Sequence, residues 1–376
     1  MQFIFWTSMV MLGYTFAGYP ALMRLLSKFR DHSTSPAPPR NQPSRSLSII
    51  IAAHNEGGTI KARINNLIGC DFNGTPWEII VVSDGSNDGT ADIAREIKHP
   101  GVKVIEVKEK QGKAACINMA TKKAKSEILI FTDARQHFAP DAIIELISPF
   151  SDPEVVGVGG ELHIAPAQPG SLRELGTYWQ LERQLRSRES RFWSTIGCSG
   201  AIYAIRAEEF RPIPNDTILD DVVIPMKATL NGGRILFNRA AKAYDPQPLN
   251  SNREKSRKQR TLGGNFQLLF RYHEWLSPWG HPLWWQLISH KYLRILSPVF
   301  LMFFAISNLA LLESHSIYLV LGLLQMAFYI TGILGHCSPL SRLRPFSSAS
   351  AFLFLNAMTI GGFFYYLSSN HKKGWK

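Results

Sequence analysis

The sequence predicts an α/β fold: a doubly wound, mostly parallel sheet flanked by helices, joined to about four transmembrane helices. Short apolar runs alternate with helix-length segments between residues 47 and 265, as they do in βα units. Several of these runs stop at clusters of Ser, Asp, Gly and Asn, which favour tight turns. Charge-free apolar segments lie towards both ends of the chain, and they are long enough to cross a bilayer.

The N-terminal segment, residues 1–25, is predicted to be a membrane anchor. No charged residue occurs from Phe3 to Met23, a length of roughly 32 Å as a helix. Arg24 and Lys28 follow, so the positive-inside rule places the next domain in the cytoplasm. A cleaved signal peptide is the alternative, but no basic residue precedes the run and no small-residue cleavage site closes it. Residues 26–46 are a Pro-rich linker.

Three further transmembrane helices are predicted within residues 295–368, before a short tail at 369–376. Their charge-free spans are Ile295–Leu312, Ile317–Leu334 and Phe346–Leu367. Residues 266–294 contain several tryptophans, which favour the headgroup layer, so this stretch is expected to form interfacial helices. The sequence therefore predicts a multi-pass integral protein of the cell inner membrane with a cytoplasmic α/β domain at 47–265.

The net charge of +12 favours anionic partners such as phosphates or an acidic membrane face. Nucleic acid is not expected as a partner, because nucleic-acid binding explains neither the apolar spans nor the acids at strand ends. The four cysteines have no metal-binding spacing and are expected to be free thiols. Cys198 is expected to be a small packed residue rather than a nucleophile.

The predicted strands and helices alternate along the α/β domain. The strands are predicted at Ser48–Ala53, Ile79–Val82, Val102–Val107, Glu127–Phe131, Val155–Ile164, Ala201–Ile205 and Gly232–Phe237. Helices are predicted after most of these strands, among them 114–125 and one beginning near Asp221. A further helix at Leu172–Leu185 carries an apolar stripe that includes Leu181, and this stripe is expected to pack in the core.

Acidic side chains end two of the predicted parallel strands. Asp84 follows Ile79–Val82, and Asp133 follows Glu127–Phe131. The polar loop at 54–56 follows a third strand. In open α/β sheets ligands bind outside the carboxyl ends of the strands, so these side chains are expected to converge on one crevice. Carboxylates in a basic domain suit a divalent cation and a diphosphate.

Four motifs in series resemble those of membrane-bound family-2 glycosyltransferases, which include cellulose, chitin and hyaluronan synthases. The motifs are Ser48–Glu56, Glu78–Thr90, Phe131–Gln136 and Leu219–Asp221, and the similarity spans about residues 45–265. The anchor and the C-terminal spans match the layout of this group as well. The resemblance implies the GT-A fold, a Rossmann-like arrangement.

The resemblance also implies roles for single residues. Asp84 would hold the uridine part of a UDP-sugar, and Ala53 and Glu56 would line the nucleotide pocket. Lys113 would contact the nucleotide or its phosphates. Asp133 matches the first Asp of the D-x-D motif, which binds Mg²⁺ or Mn²⁺ on the diphosphate.

The catalytic base implied by the resemblance is Asp221, which matches the final Asp of the T-E-D type motif. Such a base takes a proton from the acceptor hydroxyl. Its neighbour Asp220 is expected either to support Asp221 or to cap the helix that begins here.

Two departures from the family pattern are visible in the sequence. Arg135 stands in place of the second Asp of D-x-D, so one direct protein ligand to the metal is expected. In the Q-x-x-R-W motif only Arg260 matches, because Arg257 replaces the Gln and Thr261 the Trp. The two arginines suit a pyrophosphate. The basic run at 253–260 has a membrane-facing patch as its alternative interpretation.

These observations predict an inverting glycosyltransferase. It would transfer a sugar from a UDP-sugar to a growing polysaccharide at the cytoplasmic membrane face. One alternative is the transfer of a single sugar to a lipid-linked acceptor, which the missing Trp of Q-x-x-R-W favours. The other is a non-catalytic membrane subunit that keeps a nucleotide-binding shape, which the altered D-x-D motivates.

Overall fold

A computed structural model describes residues 1–30, 45–164, 173–246, 251–335, 340 and 343–368. Most of the predicted linker at 26–46, the tail at 369–376 and Cys337 lie outside these described residues.

The strands and helices follow the order expected from the sequence. The strands are β1 (Leu47–Ala53), β2 (Trp77–Asp84), β3 (Val102–Val107), β4 (Ile128–Thr132), β5 (His137–Phe138), β6 (Val155–Ile164), β7 (Tyr203–Arg206) and β8 (Arg234–Asp245). The helices of the α/β part are α3 (Ile60–Ile68), α4 (Thr90–Arg95), α5 (Lys113–Lys123), α6 (Ala142–Ile147), α7 (Arg173–Phe192) and α8 (Asp220–Ala228). The remaining helices are α1 (Gln2–Gly13) and α2 (Tyr19–Phe29) at the N-terminus, then α9 (Ser251–Arg271), α10 (Trp284–Leu287), α11 (Leu293–Leu309), α12 (Ser316–Leu334) and α13 (Arg344–Leu367).

All eight strands form one sheet in the order β3-β2-β1-β4-β7-β6-β8-β5. The first four strands in this order are parallel, so their carboxyl ends lie at one edge, as predicted. β7 is antiparallel to both β4 and β6, whereas β6 and β8 are parallel. The predicted α/β fold class with a mostly parallel sheet is confirmed, and the antiparallel pairings are those of β7 with β4 and β6 and of β5 with β8.

Helices cover both faces of the sheet, and β1 shows why its sequence is apolar throughout. Ile50 and Ala52 belong to one buried apolar cluster, whereas Ile49 and Ile51 belong to another on the opposite face. A strand buried on both faces must be apolar at every position. This arrangement anchors the strand end at Ala53, where the polar loop begins.

Three helical segments are long and apolar enough to cross a membrane: Trp284–Leu309, Ser316–Leu334 and Arg344–Leu367. The first of them joins α10 to α11 through a π-helical turn at Ile288–Tyr292. The predicted N-terminal anchor is helical, but it is not among these three candidates in the described part of the chain, and its role as an anchor stays a prediction. Polar residues such as Thr7, Ser8 and Thr15 lower its mean hydropathy. It still packs against α11, since the rings of Phe5 and Phe304 stack at 4.9 Å.

Helices α9 and α13 cross at a glycine contact. A Cβ on Gly362 would lie 2.5 Å from the Cβ of Leu262, and one on Gly263 would lie 3.2 Å from the carbonyl oxygen of Gly362. The two backbones approach this closely because neither glycine carries a side chain. Helix α9 runs through position 265 without a break, so it joins the predicted catalytic domain to the predicted interfacial segment.

Helix α7 buries a different face from the one predicted. Leu181 was expected in the core, but it is 60% exposed. Between residues 180 and 192 the buried side chains are those of Glu182, Leu185, Glu189 and Ser190, and the first three share one face at helical spacing. Their partners are Tyr19, His290 and Arg294, so this face of α7 is held by polar contacts. Cys70, Cys116 and Cys198 are buried free thiols, as predicted.

Candidate active site

Three predicted site residues from separate elements meet at the carboxyl edge of the sheet. Lys113, the first residue of α5, places its Nζ 2.9 Å from Oδ1 of Asp133 and 3.1 Å from Oδ2 of Asp220. Asp133 follows β4 directly, and Asp220 opens α8. The sequence separates these residues by up to 107 positions, and the parallel strands bring them together.

Burial and neighbouring charges push the two carboxyl groups in opposite directions. Burial raises the pKa of Asp133, but the charge and hydrogen bond of Lys113, with Arg135 and Arg260 nearby, outweigh it and leave this pKa below its ordinary value. Burial also raises the pKa of Asp220. Lys113 lowers this pKa, but the negative charges of Asp221 and Asp133 raise it further, so it lies above its ordinary value. Burial alone would lower the pKa of Lys113, but the three carboxylates raise it. Two neighbouring acids with opposite shifts are typical of functional sites.

Asp221, the predicted base, is oriented by the loop before β7. Its Oδ2 accepts a hydrogen bond from the N–H of Gly200 at 3.1 Å, and its carbonyl oxygen accepts one from the N–H of Cys198 at 2.8 Å. A Cβ added to Gly200 would lie 3.5 Å from the Nζ of Lys113 and 3.6 Å from Oδ2 of Asp221. Gly200 therefore lies beside both functional groups, and its backbone fixes the carboxylate.

Asp84 is fully buried and supports the loop that leads to Lys113. Its Oδ1 accepts the N–H of Gln111 at 2.7 Å, and its Oδ2 accepts the N–H of Gly112 at 2.8 Å. Gly112 has a φ of 99°, which L side chains rarely adopt. The carboxylate thus holds a turn that only glycine forms easily, one residue before Lys113.

The loops that follow β1 and β2 are joined side by side. The N–H of Glu56 donates to the hydroxyl of Thr90 at 2.9 Å, and its carboxylate accepts from the hydroxyl of Thr59 at 2.7 Å. His54 Nδ1 lies 2.6 Å from the carbonyl oxygen of Asp84. Ala53 is buried at the end of β1. The predicted nucleotide-pocket residues Ala53 and Glu56 therefore flank the end of β2, where Asp84 lies.

The predicted diphosphate arginines lie on α9. Arg260 is exposed and close enough to Asp133 for its charge to lower the pKa of that carboxyl group. Arg257 is one turn earlier on the same helix, and its carbonyl oxygen accepts the hydroxyl of Thr261 at 3.0 Å. Arg135, which replaces the second Asp of D-x-D, has its Nη2 4.0 Å from the buried carboxylate of Asp245.

The described residues contain no group of three or more His, Cys, Asp or Glu side chains placed to hold a metal ion. Asp133 is the carboxylate at the predicted metal position, and its side chain is 30% exposed. These residues fit a cation that takes one ligand from the protein and the others from a bound diphosphate and water.

Sequence reasoning missed one supporting residue, Arg63. It is fully buried in α3, donates from Nη2 to the hydroxyl of Thr132 at 2.7 Å, and places its guanidinium 4.2 Å from the ring centroid of Phe138. Burial lowers the pKa of Arg63 to about 9. It braces the end of β4 beside Asp133, and an arginine at a helical core position is the sequence signal that could have revealed it.

Comparison with known proteins identifies a family for the α/β domain. Residues 48–211 match the sequence model of a family described as Glycosyl transferase family 2. The chain carries a family 2 glycosyltransferase domain. A domain of this family indicates an enzyme of the glycosyltransferase class.

The curated relatives of this glycosyltransferase are polysaccharide synthases. It is 23% identical over 232 residues to the poly-beta-1,6-N-acetyl-D-glucosamine synthase of Staphylococcus aureus (strain MSSA476), a match that covers 60% of this chain and 56% of the relative. It is 29% identical over 126 residues to the synthase of the same name from Staphylococcus epidermidis, covering 33% of this chain and 30% of that one. The chain thus spans a little over half the length of the first of these relatives.

A solved structure matches the glycosyltransferase over nearly its whole length. It is the mannosyltransferase PcManGT from Pyrobaculum calidifontis, determined in complex with GDP-Man and Mn²⁺. The TM-score is 0.72 at 21% identity, and the match covers 98% of this chain and 99% of the other. This likeness establishes the GT-A fold. The three apolar helices and the synthase relatives indicate association with a membrane.

Proposed function

We propose that this glycosyltransferase moves a sugar from a UDP-sugar, with inversion at the anomeric carbon, to an acceptor hydroxyl at the cytoplasmic face of the membrane. The observation that carries the proposal is the meeting of Lys113, Asp133 and Asp220, with Asp221 adjacent. An inverting displacement needs one base opposite the leaving diphosphate and positive charge beside it, and this cluster supplies both.

Asp221 is the proposed base. It takes the proton of the acceptor hydroxyl as the oxygen forms its bond to the anomeric carbon and the bond to the diphosphate breaks. The N–H of Gly200 holds its carboxylate in one orientation, which the proton transfer requires. Asp220 is proposed as a supporting acid whose charge keeps Lys113 in place.

The leaving diphosphate is proposed to lie between Lys113 and the arginines of α9. Lys113 is a buried cation held by carboxylates, and Arg260 approaches Asp133 from the side of α9. Fixed positive charge is most effective where charge develops during the reaction. Arg257 and Arg260, one helical turn apart, suit phosphate oxygens because guanidinium groups donate in pairs.

A divalent cation fits this arrangement with Asp133 as its protein ligand. Bound Mg²⁺ or Mn²⁺ would supply positive charge to the diphosphate oxygens. Arg135 stands where a second carboxylate would add a ligand, so Asp133 would be the one carboxylate of this motif that holds the cation. The presence of Mn²⁺ in the mannosyltransferase structure supports this assignment.

The first proposed acceptor is a growing polysaccharide, because the curated relatives are polysaccharide synthases. A second candidate is a lipid-linked acceptor that receives one sugar. Two observations favour the second: Thr261 replaces the Trp of Q-x-x-R-W, and the full-length structural match is to a mannosyltransferase rather than a synthase.

The experiment uses the full-length chain in nanodiscs with a panel of UDP-sugars and GDP-mannose. Release of nucleoside diphosphate is measured with Mn²⁺, with Mg²⁺ and with chelator, and the product is resolved by gel and by anomeric NMR. We expect turnover with one UDP-sugar and an inverted product; a ladder identifies a polymer and a single glycolipid identifies the second acceptor. Retention of configuration at the anomeric carbon would contradict the inverting mechanism. Turnover with GDP-mannose alone would contradict the UDP-sugar donor.

A further inference from the structure

The segment at 213–219 leads directly into α8, which begins at Asp220 and carries the proposed base Asp221. The residue before the helix is Leu219, whose side chain has no polar atom and so cannot cap the first turn. The direction in which α8 starts therefore depends in part on the contacts that hold the preceding segment. Those contacts come from α5 and α9.

Gln267 of α9 makes two hydrogen bonds to the backbone of this segment. The N–H of Ile218 donates to its Oε1 at 3.0 Å, and its Nε2 donates to the carbonyl oxygen of Asp216 at 2.9 Å. Gln267 is only 4% exposed, so a backbone group left unpaired beside it would be costly. One amide side chain thus fixes the backbone just before the proposed base.

Arg271 of α9 adds a forked ion pair to the same place. Its Nη1 donates to Oδ1 of Asp216 at 2.8 Å, and its Nη2 donates to Oδ2 at 2.6 Å. Two parallel bonds between a guanidinium and a carboxylate hold the groups in one relative orientation. The Arg271 and Asp216 side chains are 31% and 35% exposed, so the pair contributes more to geometry than to stability.

Helix α9 also contacts the segment with its backbone, at Gly264. A Cβ added to Gly264 would lie 2.6 Å from Cγ of Leu219 and 2.9 Å from Cγ2 of Ile218. Because this residue is glycine, the helix backbone lies directly against the last residues before α8.

Asn118 of α5 holds the beginning of the segment. Its Nδ2 donates to the carbonyl oxygen of Ile213 at 2.7 Å, and its Oδ1 accepts the N–H of Ile213 at 3.1 Å. Helix α5 begins at Lys113. The segment is therefore bound at one end to the helix of the central lysine and at the other end to α9.

The contact residues of α9 share a face with its two diphosphate arginines. Positions 257, 260, 264, 267 and 271 are separated by three or four residues, the spacing of one face of a helix. Arg257 and Arg260 are proposed to bind the leaving diphosphate, and the other three positions contact the segment before Asp221. One helix thus carries groups for the leaving group and contacts that reach the base.

We propose that Gln267 and Arg271 are positioning residues that set Asp221 at a fixed distance from the leaving group. A base must be placed this closely because a misplacement of about 1 Å can lower a rate by ~10²-fold. The role of the two residues in catalysis rests on the proposed function of Asp221 as the base. The clamp itself, meaning the bonds of Gln267 and Arg271 to residues 216–218, can be measured without turnover.

The first test asks whether the effect of the clamp runs through Asp221. Release of nucleoside diphosphate from the panel of donors is measured for full-length wild type, Gln267→Leu, Asp221→Asn and the double variant in nanodiscs. We expect Gln267→Leu to lower kcat about 10–100-fold and to change UDP affinity by less than about twofold. In the Asp221→Asn background the same change should cost less than about twofold more, because the base is already absent. Equal losses in both backgrounds would show a general structural effect and overturn the positioning role.

A charge exchange tests the ion pair. Arg271→Asp is expected to lower kcat about tenfold or more, because two carboxylates then face each other. Asp216→Arg combined with Arg271→Asp is expected to recover part of the loss. The matched control is Lys61→Glu with Glu96→Lys, an exposed ion pair whose exchange should leave kcat unchanged. A double exchange at 216 and 271 no faster than Arg271→Asp alone would overturn the role of the ion pair.

Hydrogen–deuterium exchange separates this inference from the proposed function. In Gln267→Leu the amides of residues 213–222 are expected to exchange about tenfold faster, because the N–H of Ile218 loses its acceptor, whereas those of β1 should not change. Thermal unfolding of each variant establishes that it is folded. Unchanged exchange at 213–222 would overturn the clamp. Absence of turnover by the wild type with every donor, together with faster exchange in the variant, would overturn the proposed function and support the clamp.

Discussion

The N–H of Gly112 donates to Oδ2 of Asp84 at 2.8 Å, and the next residue along the chain is Lys113. The acid at the end of β2 therefore fixes the backbone that presents the central lysine. Asp84 acts on the site through this loop, in addition to any contact that it makes with a nucleotide.

Replacement of Asp84 by Ala is expected to weaken UDP binding, because the N–H groups of Gln111 and Gly112 lose their acceptor and the loop before Lys113 loosens. Asp84→Asn keeps one acceptor oxygen and is expected to fall between the wild type and the Ala variant. Isothermal titration with UDP measures both. Unchanged affinity in Asp84→Ala would contradict the role assigned to this carboxylate.

Replacement of Lys113 by Met removes the cation that contacts both Asp133 and Asp220. We expect a loss of stability of about 1–3 kcal/mol, since a buried charge loses its partner, together with weaker donor binding. Thermal unfolding in detergent measures the first effect. The double variant Lys113→Met, Asp133→Asn is expected to recover part of the stability, and a double variant no more stable than Lys113→Met would show that the two groups are not coupled.

Replacement of Asp221 by Asn is expected to lower kcat by about 10²–10⁴-fold and to leave UDP affinity unchanged, because the variant loses a proton acceptor and keeps its shape. Single-turnover transfer measures the rate, and titration measures the affinity. Asp92→Asn serves as the control, since Asp92 is an exposed partner of Arg95. Full activity in Asp221→Asn would remove this residue from the role of base.

Replacement of Asp220 by Asn is expected to change stability in a pH-dependent manner. The folded-state pKa of Asp220 is raised above its ordinary 3.8, so the folded chain holds this proton more tightly than the unfolded chain does. Its contribution to stability is therefore present below 3.8 and is lost as the pH rises through the folded-state pKa. At neutral pH the wild type carries the cost of a buried carboxylate that the Asn variant lacks.

Melting temperatures of the wild type and Asp220→Asn across an acid-to-neutral series check this expectation. The variant should be the more stable at neutral pH, and the difference should narrow as the pH falls. A variant that is less stable at neutral pH would show that the ion pair with Lys113 outweighs the burial of the charge.

The central strands β1 and β4 were predictable because they are buried along their whole length, which requires apolar residues at every position. Val102–Val107 and Val155–Ile164 were predicted with the bounds that the structure has, and Asp84 and Asp133 lie at the predicted strand ends. The direction of β7 was not predictable, because a four-residue strand has no feature in its sequence that distinguishes parallel from antiparallel pairing.

Contacts between elements that are far apart in the sequence could not be predicted either. Glu182 and Glu189 resemble ordinary surface residues of a charged helix, yet both pair with His290 inside the structure. Periodicity identified α7 as a helix but placed Leu181 on the wrong face, since apolar spacing does not reveal that a buried face is acidic.

The glycine contact between α9 and α13 has a mechanical consequence. Helix α9 carries both Arg260 and Gly263. Gly263 contacts Gly362 of α13, an apolar helix long enough to span a membrane. Backbones this close cannot slide past each other freely, so a tilt of α13 carries α9 with it. A bilayer thicker or thinner than the length of α13 changes that tilt. We therefore expect the distance between Arg260 and Asp133, and with it the rate of transfer, to change with the thickness of the surrounding lipid.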